Sequence, residues 1–289
     1  MVEYLIGNFM VSSGMMTQEE YEKVLSKLES KRARLGLIAV NEGLLTVKQA
    51  DEINFLQTVK DKRFGDIAVE KGLLTEEQVA GLLDKQGNEY LTFIQTLVDE
   101  GIVGFEEIDA VIKGYQIENG FSDDEIEVIK NADMDGIVKM YIPKDMAEYY
   151  QIALLAVKTF IRCVDRHVYI DHARFENTYN AVKPVSQELD GKDGIVSAIA
   201  DNDGGMCKAA SIFGRLELEE LDEDVQDACG ELLNCINGLY ASLMSQDNVI
   251  LELLPPELVD EKSVEDCFVL PISVCGKKLD FIVTKSAWR

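Results

Sequence analysis

Proline is missing from the first 142 residues; all five lie at Pro143, Pro184, Pro255, Pro256 and Pro271. Cysteine and histidine are equally late, starting at Cys163 and His167, and there is one tryptophan, Trp288. No apolar run approaches the roughly 18 residues that a membrane-spanning helix needs. Basic residues are scarce: Lys plus Arg number 28 against 53 Asp plus Glu, a formal net charge of −25. That deficit argues against non-specific nucleic-acid binding and against docking on an anionic membrane. The opening residues include Glu3 and no Lys or Arg, which a secretory leader would carry. The six cysteines contain no CxxC pair and no zinc-ligand spacing, so they read as reduced thiols and the expected location is the cytoplasm. Apolar residues make up 47% and charged residues 28%, which excludes a disordered chain.

The chain is 289 residues long, enough for two domains. The late arrival of Pro, Cys and His marks a change of composition, which places a boundary at about 135–146. The acidity does not change: 15 basic and 28 acidic residues precede position 146, and 13 and 25 follow.

The front part repeats. Gly14, Gly43, Gly72 and Gly101 stand 29 residues apart and open the phrases GMMTQEEY, GLLTVKQA, GLLTEEQV and GIVGFEEI. Val11, Val40, Val69 and Val98 precede them by three, and Gly7, Gly36 and Gly65 keep the same period. Each unit reads as a short helix, a Gly turn and a longer helix. Thr17, Thr46 and Thr75, followed three residues later by Glu20, Gln49 and Gln78, form capping boxes for the second helix. Ser122 with Glu125 starts one more helix. A single unit cannot bury its apolar face, and four stacked units can. The expectation is an all-α domain over 1–140.

The second and third repeats carry extra features. RLGLIAVNEGLLTVKQADEINFLQ (34–57) and RFGDIAVEKGLLTEEQVAGLLDKQ (63–86) each open with Arg and close with Gln, with five residues between them. Lys31, Arg32 and Arg34 form one basic island, and Lys60, Lys62 and Arg63 another. Arg makes paired hydrogen bonds to phosphate or to a guanine edge, so matched Arg positions in so acidic a chain suit an anionic ligand. Solvated surface residues of a helical repeat would show the same types. The pair resembles the MshEN domain, a cyclic di-GMP-binding module of secretion and pilus ATPases. The resemblance implies that Arg34 and Arg63 meet guanine or phosphate, and that Gln57 and Gln86 bond base edges.

In the rear part, residues 222–246 form one long amphipathic helix. Val225, Ala228, Cys229, Leu232, Leu233, Ile236, Leu239, Tyr240 and Leu243 share a core direction at 100° per residue. Asp224, Asp227, Glu231, Asn234 and Gly238 lie opposite. Glu231 and Asn234 are three apart, so their side chains project as neighbours. A solvated charged face and a chemical pair share this pattern. Cys229 and Cys235 point about 120° apart on one helix and cannot bridge.

The arrangement Asp227-x3-Glu231-x2-Asn234, with Pro255-Pro256 downstream, resembles the signature of the CheC/CheX/FliY chemotaxis phosphatases, most closely the CheX branch. A helix at about 146–166, a strand from GKDGIVSAIADN (191–202), a helix from MCKAASIFG (206–214) and a closing strand pair from VLPISV (269–274) and LDFIVTKS (279–286) match the family in order. The resemblance implies an α+β fold overall. An all-α repeat domain is followed, over 146–289, by a CheX-like sandwich of antiparallel sheet and long helices. It also implies hydrolysis of the aspartyl-phosphate of a CheY-type response regulator. Asn234 would hold the attacking water, Glu231 would pair with the receiver's Lys, and Asp227 and Gly238 would support them. The protein would need no cofactor of its own; Mg²⁺ would come with the receiver, cyclic di-GMP could regulate, and a homodimer is expected. The alternative is a non-catalytic adaptor or cyclic di-GMP sensor. Cys163, His167, Asp171 and His172 lack the second ligand pair of a metal site. Asp203-Gly204-Gly205 reads as a helix cap, and Trp288 as a packing anchor.

Overall fold

The computed structural model describes residues 1–28, 32–60, 62–258 and 261–286. Lys31 and Trp288, singled out above, lie outside them. The chain divides into two compact units, Val2–Asp133 and Met134–Arg289, the second also taking in Met1. The break falls just ahead of the composition change, because a short helix at Met134–Met140 packs with the second unit.

The first unit is all helix. Its four repeats are the pairs α1 (Val2–Ser12) and α2 (Gln18–Leu28), α3 (Leu35–Asn41) and α4 (Val47–Lys60), α5 (Phe64–Glu70) and α6 (Glu76–Asp84), and α7 (Glu89–Asp99) and α8 (Ile108–Asn119). Helix α9 (Asp123–Lys130) follows. Gly14, Gly43, Gly72 and Gly101 all have φ between 67° and 70°, the left-handed turn that ends each first helix. The boxes at Thr17, Thr46, Thr75 and Ser122 close in both directions: Gln78 N–H donates to Thr75 Oγ1 at 3.1 Å, and Thr75 N–H to Gln78 Oε1 at 2.8 Å. The fourth repeat has Gly104 at this phase and keeps only the reverse bond, from its N–H to Glu107.

The repeat period is also the burial period. Met10, Ala39, Ala68 and Leu97 are buried, as are Val24, Ile53, Leu82 and Val111. At Gly65 a β-carbon would stand 2.6 Å from Val79 Cγ1, so the first helix needs Gly there for the second to close on it. The packing is not a simple linear array: α7 of the last repeat contacts α1, α2 and α3.

The second unit begins with α10 (Met134–Met140), a 3₁₀ turn (Lys144–Tyr149) and α11 (Tyr150–Cys163). Strands β1 (Val168–Ile170), β2 (Arg174–Val182), β3 (Val185–Asp190) and β4 (Ile195–Asp201) follow, then α12 (Gly205–Gly214) and α13 (Glu223–Gln246). Strands β5 (Glu252–Leu253), β6 (Glu257–Leu258), β7 (Glu261–Val274) and β8 (Lys277–Thr284) complete it. The sheet runs β1-β7-β8-β4-β3-β5, with β2 also on β7 and β6 also on β3; every pairing is antiparallel. Helices α12 and α13 pack against the sheet, and α11 packs on α13. Ala181, Ala198, Ala200, Val264, Cys267, Val269 and Ile282 form one core cluster, with Tyr179 against it.

The helix expected at about 146–166 is shorter: α11 stops at Cys163, and Asp165 Oδ1 accepts from the His167 backbone N–H at 2.7 Å in the turn that follows. In the Asp203-Gly204-Gly205 turn it is Gly204 that caps α12, with φ 75°, and the Gly204 and Met206 N–H groups donate to Asp201.

Candidate functional site

Helix α13 starts at Asp222, whose Oδ1 accepts from the Val225 N–H at 3.1 Å. Val225, Cys229, Leu232, Leu233, Ile236 and Tyr240 are buried. Leu239, expected in that core, is 37% exposed, and Ala228 and Leu243 are half-buried. Asp227, Glu231 and Asn234 are exposed, and a β-carbon on Gly238 would meet nothing within 4 Å. The stripe that carries the proposed chemistry is therefore not covered by its own unit.

Below the stripe runs a buried polar chain. The Ser197 hydroxyl on β4 donates to Asn237 Oδ1 at 2.8 Å. Asn237 Nδ2 donates to Gln187 Oε1 on β3 at 2.8 Å. Gln187 Nε2 then donates twice, to the Leu254 carbonyl at 2.8 Å and to Asn234 Oδ1 at 2.9 Å. Ser197 and Asn237 are fully buried and Gln187 is 1% exposed. Asn234 thus stands at the outer end of a hydrogen-bonded line that starts inside the sheet.

The proline pair explains where Leu254 sits. Proline has no N–H for a ladder bond, so the strand outside β3 breaks at Pro255-Pro256. It pairs as two short pieces, Leu253 with Leu189 and Leu258 with Val185. Between them the Leu254 carbonyl turns to Gln187, and Pro256 packs on α13 at Gly230, 3.4 Å from where a β-carbon there would lie. Cys235, next to Asn234, is exposed; burial of its thiol, with Cys163 and Glu231 adding, pushes its pKa up, so it stays protonated near neutrality.

Gln187 and Asn237 escaped the sequence analysis. Each did carry a signal. Asn237 interrupts the apolar line Leu233, Ile236 and Tyr240, and Gln187 occupies the inward parity of β3 between Val185 and Leu189. A polar residue at a core phase has to find buried partners.

The ligand residues of the repeats are only partly gathered. Gln86 Nε2 donates to the Ala33 carbonyl at 3.0 Å, which sets it beside Arg34. Arg34 faces Asp99 at 3.4 Å, and Gln95 Oε1 accepts from its backbone N–H. A cavity of about 140 Å³ beside it includes Asp51, Asn54 and Asp99, well below the roughly 300 Å³ at which pockets for drug-sized ligands begin. Gln57 is half-buried, Arg63 is exposed, and among the described residues no hydrogen bond links either to Arg34 or Gln86. Lys62 pairs with Glu70.

Among the described residues, Asp165, His167 and Cys275 bring one donor atom each within 4.8 Å of one another. The His167 Nδ1 to Asp165 Oδ1 separation is 2.7 Å, a hydrogen-bond length. Two ligands on one tetrahedral zinc would stand about 3.3 Å apart, given bonds of about 2.0–2.1 Å.

Residues 188–272 match the family model described as chemotaxis phosphatase CheX. That span includes Glu231, Asn234 and the proline pair, and it defines a CheX-like domain within the second unit. No curated protein matches the chain. Similar solved structures include a CheX from Desulfovibrio desulfuricans, at 10% identity and a TM-score of 0.41, covering 47% of this chain and 97% of that one. A CheX from Vibrio vulnificus is 12% identical with a TM-score of 0.40, covering 48% and 96%. The CheX–CheY–BeF3–Mg²⁺ complex from Borrelia burgdorferi is 15% identical with a TM-score of 0.37, covering 49% and 97%.

Proposed function

We propose that the second unit hydrolyses the aspartyl-phosphate of a CheY-type response regulator, with Asn234 and Glu231 as its working residues. The observation that carries this reading is that both are exposed, three residues apart on α13, inside the segment that matches the CheX family. In the proposed step a water oxygen bonds to phosphorus as the bond between phosphorus and the receiver's carboxylate oxygen breaks. The products are the free carboxylate and inorganic phosphate. Asn234 orients the water, and Glu231 pairs with a receiver Lys and fixes the docking. Mg²⁺ arrives with the receiver. An acyl phosphate is already labile, so no nucleophile from this chain is required and positioning can suffice. An acceleration on the order of 10²-fold corresponds to about 2.7 kcal/mol, within the range of one well-placed donor. The acidic balance of the chain suits a partner that presents a lysine and a metal ion. The test is phosphate release from a phosphorylated receiver, comparing wild type with Asn234→Ala and Glu231→Ala.

Regulation by cyclic di-GMP is a separate reading of the repeats. The Gln86 bond beside Arg34 favours it. The carboxylates of Asp99 and Asp51 around the same cavity, and the pairing of Lys62 with Glu70, weigh against it. Titration calorimetry decides: heat in wild type that Arg34→Ala with Arg63→Ala removes would support a ligand site. No heat in wild type would leave the repeats as a protein-contact module, and the protein's signalling role would then rest on its second unit alone.

A further inference from the structure

We infer that Gln187 is a positioning residue that fixes which end of the Asn234 amide meets the reaction, an inference that rests on the phosphatase reading above. The polarity follows from one backbone atom. The Leu254 carbonyl can only accept, so the Gln187 atom facing it at 2.8 Å is the donor Nε2. That same nitrogen is 2.9 Å from Asn234, so the Asn234 atom turned inward is the acceptor Oδ1. The two Nε2 hydrogens are thereby both used. At the other end, Gln187 Oε1 takes a hydrogen from Asn237 Nδ2, and Asn237 Oδ1 takes the Ser197 hydroxyl. Each group in the line has its polarity set by the one before it, back to the peptide carbonyl ahead of the prolines.

The consequence for Asn234 is specific. Its Oδ1 is held by the fold, so Nδ2 is the end left to the docked partner. A side-chain amide can hold a water either by accepting from it or by donating to it. The geometry turns its donor end outward, toward the water oxygen or a phosphoryl oxygen that gains charge as the bond breaks. A donor at that point stabilises the transition state more than the ground state. Buried on β3, Gln187 acts through Asn234 and does not itself reach the reacting atoms. Glu231 is no part of this hydrogen-bonded line, so docking and orientation are separable.

The experiment compares wild type with Gln187→Met, which keeps the side-chain length and removes the amide. A CheY-type receiver phosphorylated with acetyl phosphate is the substrate. Side-chain amide relaxation by NMR gives the order of the Asn234 NH₂ group without any need for activity. The expected result is a kcat lower by on the order of 10- to 100-fold, with KM for the receiver within about twofold, together with an ordered Asn234 amide in wild type that becomes mobile in the variant. A folded variant with wild-type kcat would overturn the inference. So would an Asn234 amide as mobile in wild type as an ordinary surface amide, a measurement that decides the matter even if Gln187→Met does not fold. If wild type releases no phosphate while its Asn234 amide is rigid and Gln187→Met loosens it, the phosphatase reading falls and the positioning by Gln187 stands.

Discussion

Replacing Asn237 by Leu tests the buried polar chain directly. The two side chains are similar in size, so the change leaves little cavity, and its cost comes from hydrogen bonds. Asn237 is fully buried and serves two partners: Ser197 Oγ donates to it at 2.8 Å, and it donates to Gln187 Oε1 at 2.8 Å. Leucine leaves both without a partner in an environment closed to water. Each orphaned buried group costs about 1–3 kcal/mol, so the variant should lose roughly 2–6 kcal/mol. For a unit of this size each kcal/mol lowers Tm by about 2–4 °C. Calorimetry on the full chain should therefore show the second unit's transition falling by at least about 4 °C, with the first unit's unchanged. The pair Asn237→Leu with Ser197→Ala removes one orphan and should cost less than the sum of the single changes. A fall below about 2 °C, or strict additivity, would show instead that water or a rearranged neighbour satisfies these groups.

Two further outcomes follow from the same structure. Gly72→Ala should destabilise the first unit by about 1–2 kcal/mol through backbone strain alone, because φ is 67° and a β-carbon there meets nothing within 4 Å; Gly72→Asn should cost less, and equal costs measured by calorimetry would contradict this. Burial beside Glu176 pushes the Cys267 thiol up to about 11, against about 8.5 in an unfolded chain. Its folded form resists ionisation, so the stability it contributes is complete below about pH 8.5 and is lost as pH rises towards 11. Denaturant unfolding between pH 8 and 11 should show a shallower loss in Cys267→Ala than in wild type, and identical slopes would remove this role.

How much of this was written in the residue pattern differs between the two units. The repeats were legible because each device is local: a Gly at the left-handed position, a Thr cap and a Gln three residues on are read within one turn of helix. What the pattern did not show was that the last repeat packs against the first, since that depends on the geometry of four units together. In the second unit the exposed stripe of α13 followed from 3.6-residue periodicity, whereas the order of helices and strands followed from the resemblance to the CheX branch. Leu239 broke the rule, standing 37% exposed at a core angle. Gln187 and Asn237 are 50 residues apart in sequence and meet only through the pairing of β3 with β4 and the packing of α13 upon them. No local rule joins such a pair; the sole hint was polarity at two inward positions. The repeats' Arg and Gln matched in spacing, yet spacing could not show that Asp99 would take up Arg34.

Asn234 and Glu231, exposed on α13, are proposed to act on a docked phosphorylated receiver. The direct measurement is the rate of phosphate release from a phosphorylated CheY-type receiver with wild type, Asn234→Ala and Glu231→Ala, beside buffer alone. Wild type should accelerate release on the order of 10²-fold; Asn234→Ala should lose most of that while keeping receiver affinity, and Glu231→Ala should lose affinity. Equal rates in all four samples would contradict the proposal.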